Sequence, residues 1–565
     1  MMKGVRSSTW QGLHAASRTV AARAFTRTFF GHDSRLCTKT GQRAPSSVVE
    51  GRRQTNVAPA RRPLRVCVVG SGPAGFYVSK YLLKEEAELG CEIVIDIIDR
   101  VPTPFGLVRF GVAPDHPEVK AVQNDFDQVA SDPRVSFLGN VCFGQDVSAA
   151  QLSGLYDVVV LAYGAAGDRE LAVKGANLGG VFAARAFVSW YNGHPDFTHM
   201  SKEFAAALAS SDTVAVIGVG NVALDCARIL AKGAGALRDT DICDHALDVL
   251  SSAGAGLRRV VILGRRGHVQ ASFTIKASPG FWDSTMRSEL RELTKLDGAA
   301  CLVRQEELEL SRTPTSLDEL KTTRPKNRID ALLSKVAEGY EGVSAEAKAV
   351  ELRFLVGLAE ILPSKKTPTM VGAVRVERNR LELDQATGAQ HAVGSGNRDE
   401  AIECGMVLGS IGYRCLPVEG VPYDERNSII ANEGGRVTGV PGMYCSGWAR
   451  RGPSGIIGTN ITDARSVVSA IVEDVSRGQL TLSGSAEGRQ GLISVLTAEN
   501  ASAPGVRKSA KAEKADDRQI QIVDWDGYRR IDREEVARGA MKGKPREKVV
   551  DVGQMLDIAR VVGDE

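Results

Sequence analysis

The residues best suited to chemistry in this chain fall in two glycine-punctuated runs. The first is Gly70-Ser71-Gly72-Pro73-Ala74-Gly75, with an acid, Asp99, 24 residues beyond its last glycine. In such a run Gly70 permits a tight turn and Gly72 lets the backbone approach a pyrophosphate. Gly75 allows the following helix to pack closely on its strand. A carboxylate at Asp99 accepts hydrogen bonds from ribose hydroxyls and repels a 2′-phosphate, so this run suits FAD or NAD and not NADP. The second run is Gly218-Val219-Gly220-Asn221-Val222-Ala223, with Ala in place of the third glycine. The strand after it ends in Arg265-Arg266, two guanidinium forks that pair with a 2′-phosphate and so select NADP.

Both runs lie where such chemistry needs them. Val66 to Val69 is an apolar strand, 76–89 has helical periodicity, and Ile93 to Ile98 is a second apolar strand. The pattern repeats as a strand from Val214 to Ile217, a helix from Leu224 to Leu230, and a strand from Val260 to Leu263. One dinucleotide reader built for FAD and another built for NADP make the architecture of a flavoprotein reductase, without naming the acceptor. The expected fold is α/β and three-layered, with two Rossmann-like dinucleotide-binding domains, the NADP domain being inserted into the FAD domain. Residues 63–166 and 400–478 form the FAD domain in this reading, and 167–399 the NADP domain with a helical insertion. Residues 479–517 read as linker, from their Ser, Gly, Ala and Lys content, and 518–565 as a small C-terminal unit.

A chain of 565 residues has room for about three to four units of roughly 150 residues. Its 43% hydrophobic and 25% charged residues are ordinary for a globular protein. Charge is uneven: residues 1–62 carry twelve Lys or Arg against Asp33 and Glu50, leaving the remainder at −7. This basic, Ser/Thr/Ala-rich arm reads as a cleaved transit peptide, mitochondrial or plastid, rather than as a nucleic-acid tail. No stretch has the roughly 18 apolar residues of a membrane span. The ten cysteines contain no CxxC or CxxxxC, which argues against a redox disulfide or a resident iron-sulfur cluster, and no metal site is expected.

Two other stretches attract notice. Residues 101–120 form a long loop rich in Pro, Gly and apolar residues, suited to covering a flat cofactor. Gly455-Ile456-Ile457 precedes a helix expected from Thr462 and offers backbone N–H groups to a flavin ring, with Trp448 placed to stack beside it.

From Val66 to about Gly478 the sequence resembles the adrenodoxin reductase family, the mitochondrial NADPH-ferredoxin reductases. The resemblance is carried by Gly70 to Gly75, Gly218 to Asp225, Gly264 to Lys276 and Gly447 to Asn460. Most diagnostic is Pro104-Phe105-Gly106-Leu107-Val108-Arg109-Phe110-Gly111-Val112-Ala113-Pro114-Asp115-His116-Pro117. It implies FAD contacts at Ala74, Asp99, Leu107, Phe143, Trp448 and Gly455 to Ile457. It implies NADP contacts at Val219, Gly220, Asn221, Val222, Arg265, Arg266 and Gly455. The partner it implies is a [2Fe-2S] ferredoxin docking near Arg324 and Arg328. The chain departs from the family at Ala277, where a Glu usually follows the Phe-Thr-Ile-Lys segment.

The expected reaction is hydride transfer from NADPH to FAD and single-electron transfers to ferredoxin. Asp225, inside the helix of the second unit, and His116, in the long loop, are the candidate polar groups. Competing readings are a flavin monooxygenase or oxidase, a glutamate-synthase-like reductase subunit, and a binding protein in which the flavin is only a structural prop.

Overall fold

The computed structural model describes residues 62–272, 289–344, 346–480, 486–498 and 520–560. The expected transit segment, except Arg62, lies outside these residues, as does Ala277.

Leu64–Val69 is the hub of a seven-stranded sheet in the spatial order Asn432–Glu433, Arg436–Val437, Met443–Cys445, Val158–Leu161, Leu64–Val69, Ile93–Asp99, Val135–Gly139. Its last five strands run parallel, and the two short strands at the other edge are antiparallel. Side chains on a strand alternate between faces. Val66 and Val68 therefore enter the apolar layer under helices Pro73–Leu82 and Thr459–Ser476, while Cys67 and Val69 enter the layer on the opposite face. Both faces are covered, which is why these strands read as unbroken apolar runs.

The second sheet has six strands, all parallel: Val181–Ala183, Met406–Gly409, Thr213–Ile217, Arg259–Gly264, Ala349–Phe354, Ala300–Val303. Val214, Val216, Val260 and Ile262 face a layer of helices. Ala215, Ile217, Val261 and Leu263 face an antiparallel sheet built from Val356–Pro363, Val371–Leu383, Gln390–Gly394 and Ala401–Glu403. The α/β, three-layer arrangement of two Rossmann-like domains is therefore present.

Three boundaries differ from expectation. Met406–Gly409 pairs with Thr213–Ile217 in the second sheet, so the chain returns to the first domain after Gly409 and not at 400. An apolar run buried on both faces has the same composition in either sheet, so the sequence does not say which one it joins. The stretch read as linker contains a helix, Arg489–Ala498, whose Leu492 and Leu496 are buried in the core of the first domain. Nor is the C-terminal stretch a separate unit, because Val523, Tyr528, Ile531 and Met555 complete the helix-side core of the first domain. The two crossings between domains run side by side, Gly167–Asp168 pairing antiparallel with Tyr413–Arg414. No helix among the described residues is long and apolar enough to cross a membrane.

Candidate active site

The three glycines of the first turn have different surroundings. Gly70 has φ +107°, and a Cβ there would sit 2.6 Å from the carbonyl oxygen of Ala162. A Cβ on Gly75 would run into the carbonyl oxygen of Gly70. A Cβ on Gly72 would meet no protein atom within 4 Å. Gly70 and Gly75 are thus demanded by the protein's own packing, while Gly72 faces open space at the N-terminus of Pro73–Leu82, where unpaired N–H groups attract phosphate. Ala74 packs beneath Gly447, whose φ of +68° brings Trp448 to this end of the sheet.

Asp99 ends its strand beside the turn. Its Oδ2 accepts hydrogen bonds from Ser71 N at 2.9 Å and Ser71 Oγ at 2.6 Å, and its Oδ1 from Val101 N at 3.2 Å. The acid therefore shapes the turn as well as standing in the ribose-reading position. The 101–120 loop lies over the turn: Phe105 N donates to Ser71 O at 2.9 Å, and a Cβ on Gly106 would be 3.2 Å from Gly72 Cα. Phe105 holds a left-handed φ of +82° while 2% exposed. Phe76, Tyr528 and Trp525, with ring centroids 5.5, 5.7 and 6.2 Å away, pack around it. Leu107 begins the next helical turn and stays 38% exposed, an apolar side chain kept accessible beside the turn.

Trp448 is half-buried, 5.6 Å from the ring of Tyr413, and its Nε1 donates to Ser454 O at 3.2 Å. Gly455 has φ +82°, and Ile456 N donates to Thr459 Oγ1 at 3.1 Å. The helix that follows starts at Thr459, three residues earlier than expected, so Gly455, Ile456 and Ile457 directly precede its N-terminus. Phe143 packs on the opposite-face core, 6.2 Å from Tyr163.

The second turn repeats the logic. Gly218 has φ +118° and is crowded by the carbonyl of Ser410, whereas a Cβ on Gly220 would find nothing within 4 Å. Val219, Asn221 and Val222 are half-buried around it, the last two opening the helix Asn221–Leu237. Arg265 and Arg266 are exposed at the end of Arg259–Gly264, and neither guanidinium forms an ion pair among the described residues. Loss of solvation and the charge of Arg265 together lower the pKa of Arg266. Their backbone is fixed from outside: Asn379 Nδ2 donates to Arg265 O at 2.9 Å and Leu355 N to Arg266 O at 3.1 Å.

Asp225 and His116 meet in one ionic network. Asp225 pairs with Arg228 at 2.7 Å, and Arg228 Nε donates to Asp115 at 2.9 Å. Lys232 also reaches Asp115, at 2.7 Å, and His116 Nε2 lies 2.8 Å from Glu292 Oε2. Burial pushes the carboxyl of Asp225 up against the pull of Arg228. Asp115 is desolvated too, yet the bonds from Arg228 and Lys232 hold it well below the usual carboxylate range. Burial opposes protonation of His116, but Glu292 outweighs it and raises the imidazole. Glu289 also faces this group, its carboxyl raised by burial and by the charge of Asp225. The sequence reading missed Arg228, Glu289 and Glu292. Arg228 was findable, three residues after Asp225 on one helix face. Glu289 and Glu292 enter from a distant segment that carries no local signal.

Arg324 and Arg328 are exposed at the start of the helix Arg324–Ala337, whose Ile329 and Leu333 face the core. Neither forms an ion pair among the described residues, whereas Lys326 between them is taken up by Glu319.

Two open glycine turns at the heads of helices, one beside a carboxylate and one beside two arginines, define an oxidoreductase that handles two dinucleotides. The pyridine nucleotide-disulphide oxidoreductase family pattern matches residues 64–279. The mitochondrial NADPH:adrenodoxin oxidoreductase of Salvelinus fontinalis is 42% identical over 510 residues, 89% of this chain and 92% of the relative. That of Arabidopsis thaliana is 41% identical, over 88% of this chain and 96% of the relative. The solved structure of Mycobacterium tuberculosis FprA in complex with NADPH superposes with a TM-score of 0.74 at 34% identity, over 88% of this chain and 100% of that one. The chain belongs to the NADPH:adrenodoxin oxidoreductase family.

Proposed function

We propose that this protein is an FAD-containing NADPH:ferredoxin oxidoreductase that passes electrons from NADPH singly to a [2Fe-2S] ferredoxin of the mitochondrial matrix. The observation that carries this reading is the pairing of two open glycine turns, at Gly72 and Gly220, with opposite ribose-reading charges, Asp99 and Arg265-Arg266. A flavin joins the two half-reactions because it accepts two electrons together and releases them one at a time.

The first turn fits FAD: Gly72 leaves the approach to the helix N-terminus clear, and Asp99 is fixed at the ribose end. Gly70, Ala74, Gly75, Leu107, Phe143, Trp448, Gly455, Ile456 and Ile457 complete the proposed flavin site. Val219, Gly220, Asn221, Val222, Arg265 and Arg266 hold NADP, the two guanidiniums neutralising its 2′-phosphate. Asp225 and His116 act beside the reacting groups. His116 Nε2 lies 2.8 Å from Glu292 Oε2, and Arg228 ties Asp225 to Asp115, so the network fixes where both candidate side chains stand. Arg324 and Arg328 offer unspent positive charge to an acidic ferredoxin. The similar reductases are mitochondrial enzymes by name, which supports the mitochondrial location.

The test is spectroscopic. The purified protein should be yellow and should lose that colour on adding NADPH, as a flavin does when it takes up a hydride. It should then reoxidise far faster with ferredoxin than with oxygen. Preferential reoxidation by oxygen would favour an oxidase or monooxygenase, and no bleaching would leave the flavin as a structural prop.

A further inference from the structure

The apolar cores of the two domains do not merge: among the described residues, no hydrophobic cluster draws from both. The ribbon of two crossings and the ring contact of Phe110 with His194 at 4.7 Å apart, the domains meet mainly through charged pairs such as Arg228–Asp115 and Lys120–Asp241, a kind of junction that by itself permits relative motion. One segment, 520–560, grips both sides. On the first domain, Val523 and Gly139 exchange backbone hydrogen bonds at 2.8 and 3.0 Å, and Tyr528 packs edge-on against Phe105. Glu535, fully buried, accepts from Arg109 of the long loop and from Val549 N at 2.9 Å.

The far end of the segment holds the second domain at 241–244, just beyond the helix Asn221–Leu237. Lys544 Nζ donates to Asp244 Oδ1 at 2.6 Å and to Ile242 O at 2.9 Å, and Asp244 N donates to Glu547 Oε1 at 3.1 Å. Lys548 Nζ lies 3.3 Å from Asp241, whose carboxylate also accepts from Lys120, the last residue of the long loop, at 2.6 and 2.7 Å. One carboxylate of the second domain is thus held between the loop and the C-terminal segment. Lys544 and Lys548 are 6% and 3% exposed, so both cations are enclosed by the junction, Lys548 against a buried Asp241 and Lys544 against a half-exposed Asp244.

We infer that the C-terminal segment is a strap that fixes the distance between the two dinucleotide sites, with Lys544 and Lys548 as positioning residues for hydride transfer. The inference rests on the proposed reaction, because the strap matters to rate only if two bound dinucleotides must meet. Reacting atoms need to approach to about 3 to 3.5 Å, and a displacement of about 1 Å can cost on the order of a hundredfold. Neither lysine contacts either glycine turn, so loosening the strap should spare binding and slow transfer.

The experiment uses the full chain carrying Lys544→Ala and Lys548→Ala, alongside a Lys544→Arg, Lys548→Arg rescue. Three quantities are read: bound flavin, NADP+ affinity by difference spectrum, and the limiting rate of flavin bleaching at saturating NADPH. Hydrogen exchange at the Gly167–Asp168 and Tyr413–Arg414 crossing gives a fourth, independent of activity. The expected result is full flavin, NADP+ affinity within about threefold, a limiting rate down by about tenfold or more, faster exchange at the crossing, and substantial recovery with arginine. An unchanged limiting rate, or flavin, affinity and rate falling together, overturns the inference. If the unaltered protein fails to bleach with NADPH, the proposed reaction fails instead. Exchange at the crossing then still decides whether the segment is a strap, and unchanged exchange rejects it.

Discussion

Gly72 and Gly75 stand three residues apart in one turn, yet their substitution tests different things. A side chain on Gly75 collides with backbone inside the protein, so Gly75→Ala should destabilise the fold by several kcal/mol, seen as a lower urea midpoint. Gly72→Val meets no protein atom at its Cβ and should leave a folded but flavin-free protein. Asp99→Asn should retain more flavin than Gly72→Val, since an amide oxygen can still accept from Ser71. A yellow, fully loaded Gly72→Val protein removes the flavin assignment. Arg265 and Arg266 carry the coenzyme choice. Because a charge-assisted hydrogen bond contributes about 1.5 to 3 kcal/mol, replacing both with Ala should weaken NADPH binding by a few kcal/mol and barely alter NADH use. Equal loss for the two coenzymes in steady-state kinetics would make the pair structural.

Elements add a pH dependence that single positions do not show. His194 sits at the edge of the 3-10 turn Pro195–Met200, its ring 4.7 Å from Phe110 and 5.5 Å from Phe197, with Arg100 Nη2 3.3 Å from its Nε2. Burial outweighs the opposing charge of Asp196 and, with the nearby Arg100, Arg185 and Arg109, pushes its imidazole down to about 4. The unfolded chain therefore takes up a proton near its ordinary value of about 6.5 while the folded one does not. Stability should fall as pH drops through the window from about 6.5 to 4, by on the order of 2 kcal/mol. His194→Phe should abolish that slope, which urea denaturation at pH 7 and pH 5 would show; an unchanged slope assigns it to other groups. The sequence revealed the strand-turn-helix units because their signals are local: glycine spacing, apolar runs, and the charge that ends the next strand. It did not reveal which sheet Met406–Gly409 joins, nor that Leu492 and Leu496 pin a helix in a stretch of linker-like composition, because packing partners far along the chain decide both. Trp525, Tyr528 and Lys544 were visible residues without a role until Phe105 and Asp244 stood beside them.

At the scale of the molecule, the chain beyond its basic arm is net acidic, so an acidic partner must be drawn to a local patch. Arg324 and Arg328 are four apart on one exposed helix face, and the Debye length falls from about 10 Å at 0.1 M salt to about 3 Å at 1 M. Reversing both charges should slow ferredoxin reduction strongly at low ionic strength and leave NADPH-dependent ferricyanide reduction almost untouched. Normal ferredoxin reduction at low salt, or joint loss of both activities, rules out docking there. The paired crossings at Gly167–Asp168 and Tyr413–Arg414 also fix an order of birth. The ribosome releases every strand of the second sheet by Gly409, so the inserted domain is complete while the first still lacks Met443–Cys445 from its sheet and the whole strap. Domains fold as units during synthesis. The first strand of either sheet to emerge, Leu64–Val69, thus belongs to the domain that finishes last, and its apolar faces need shelter until Met555 of the same core has been added.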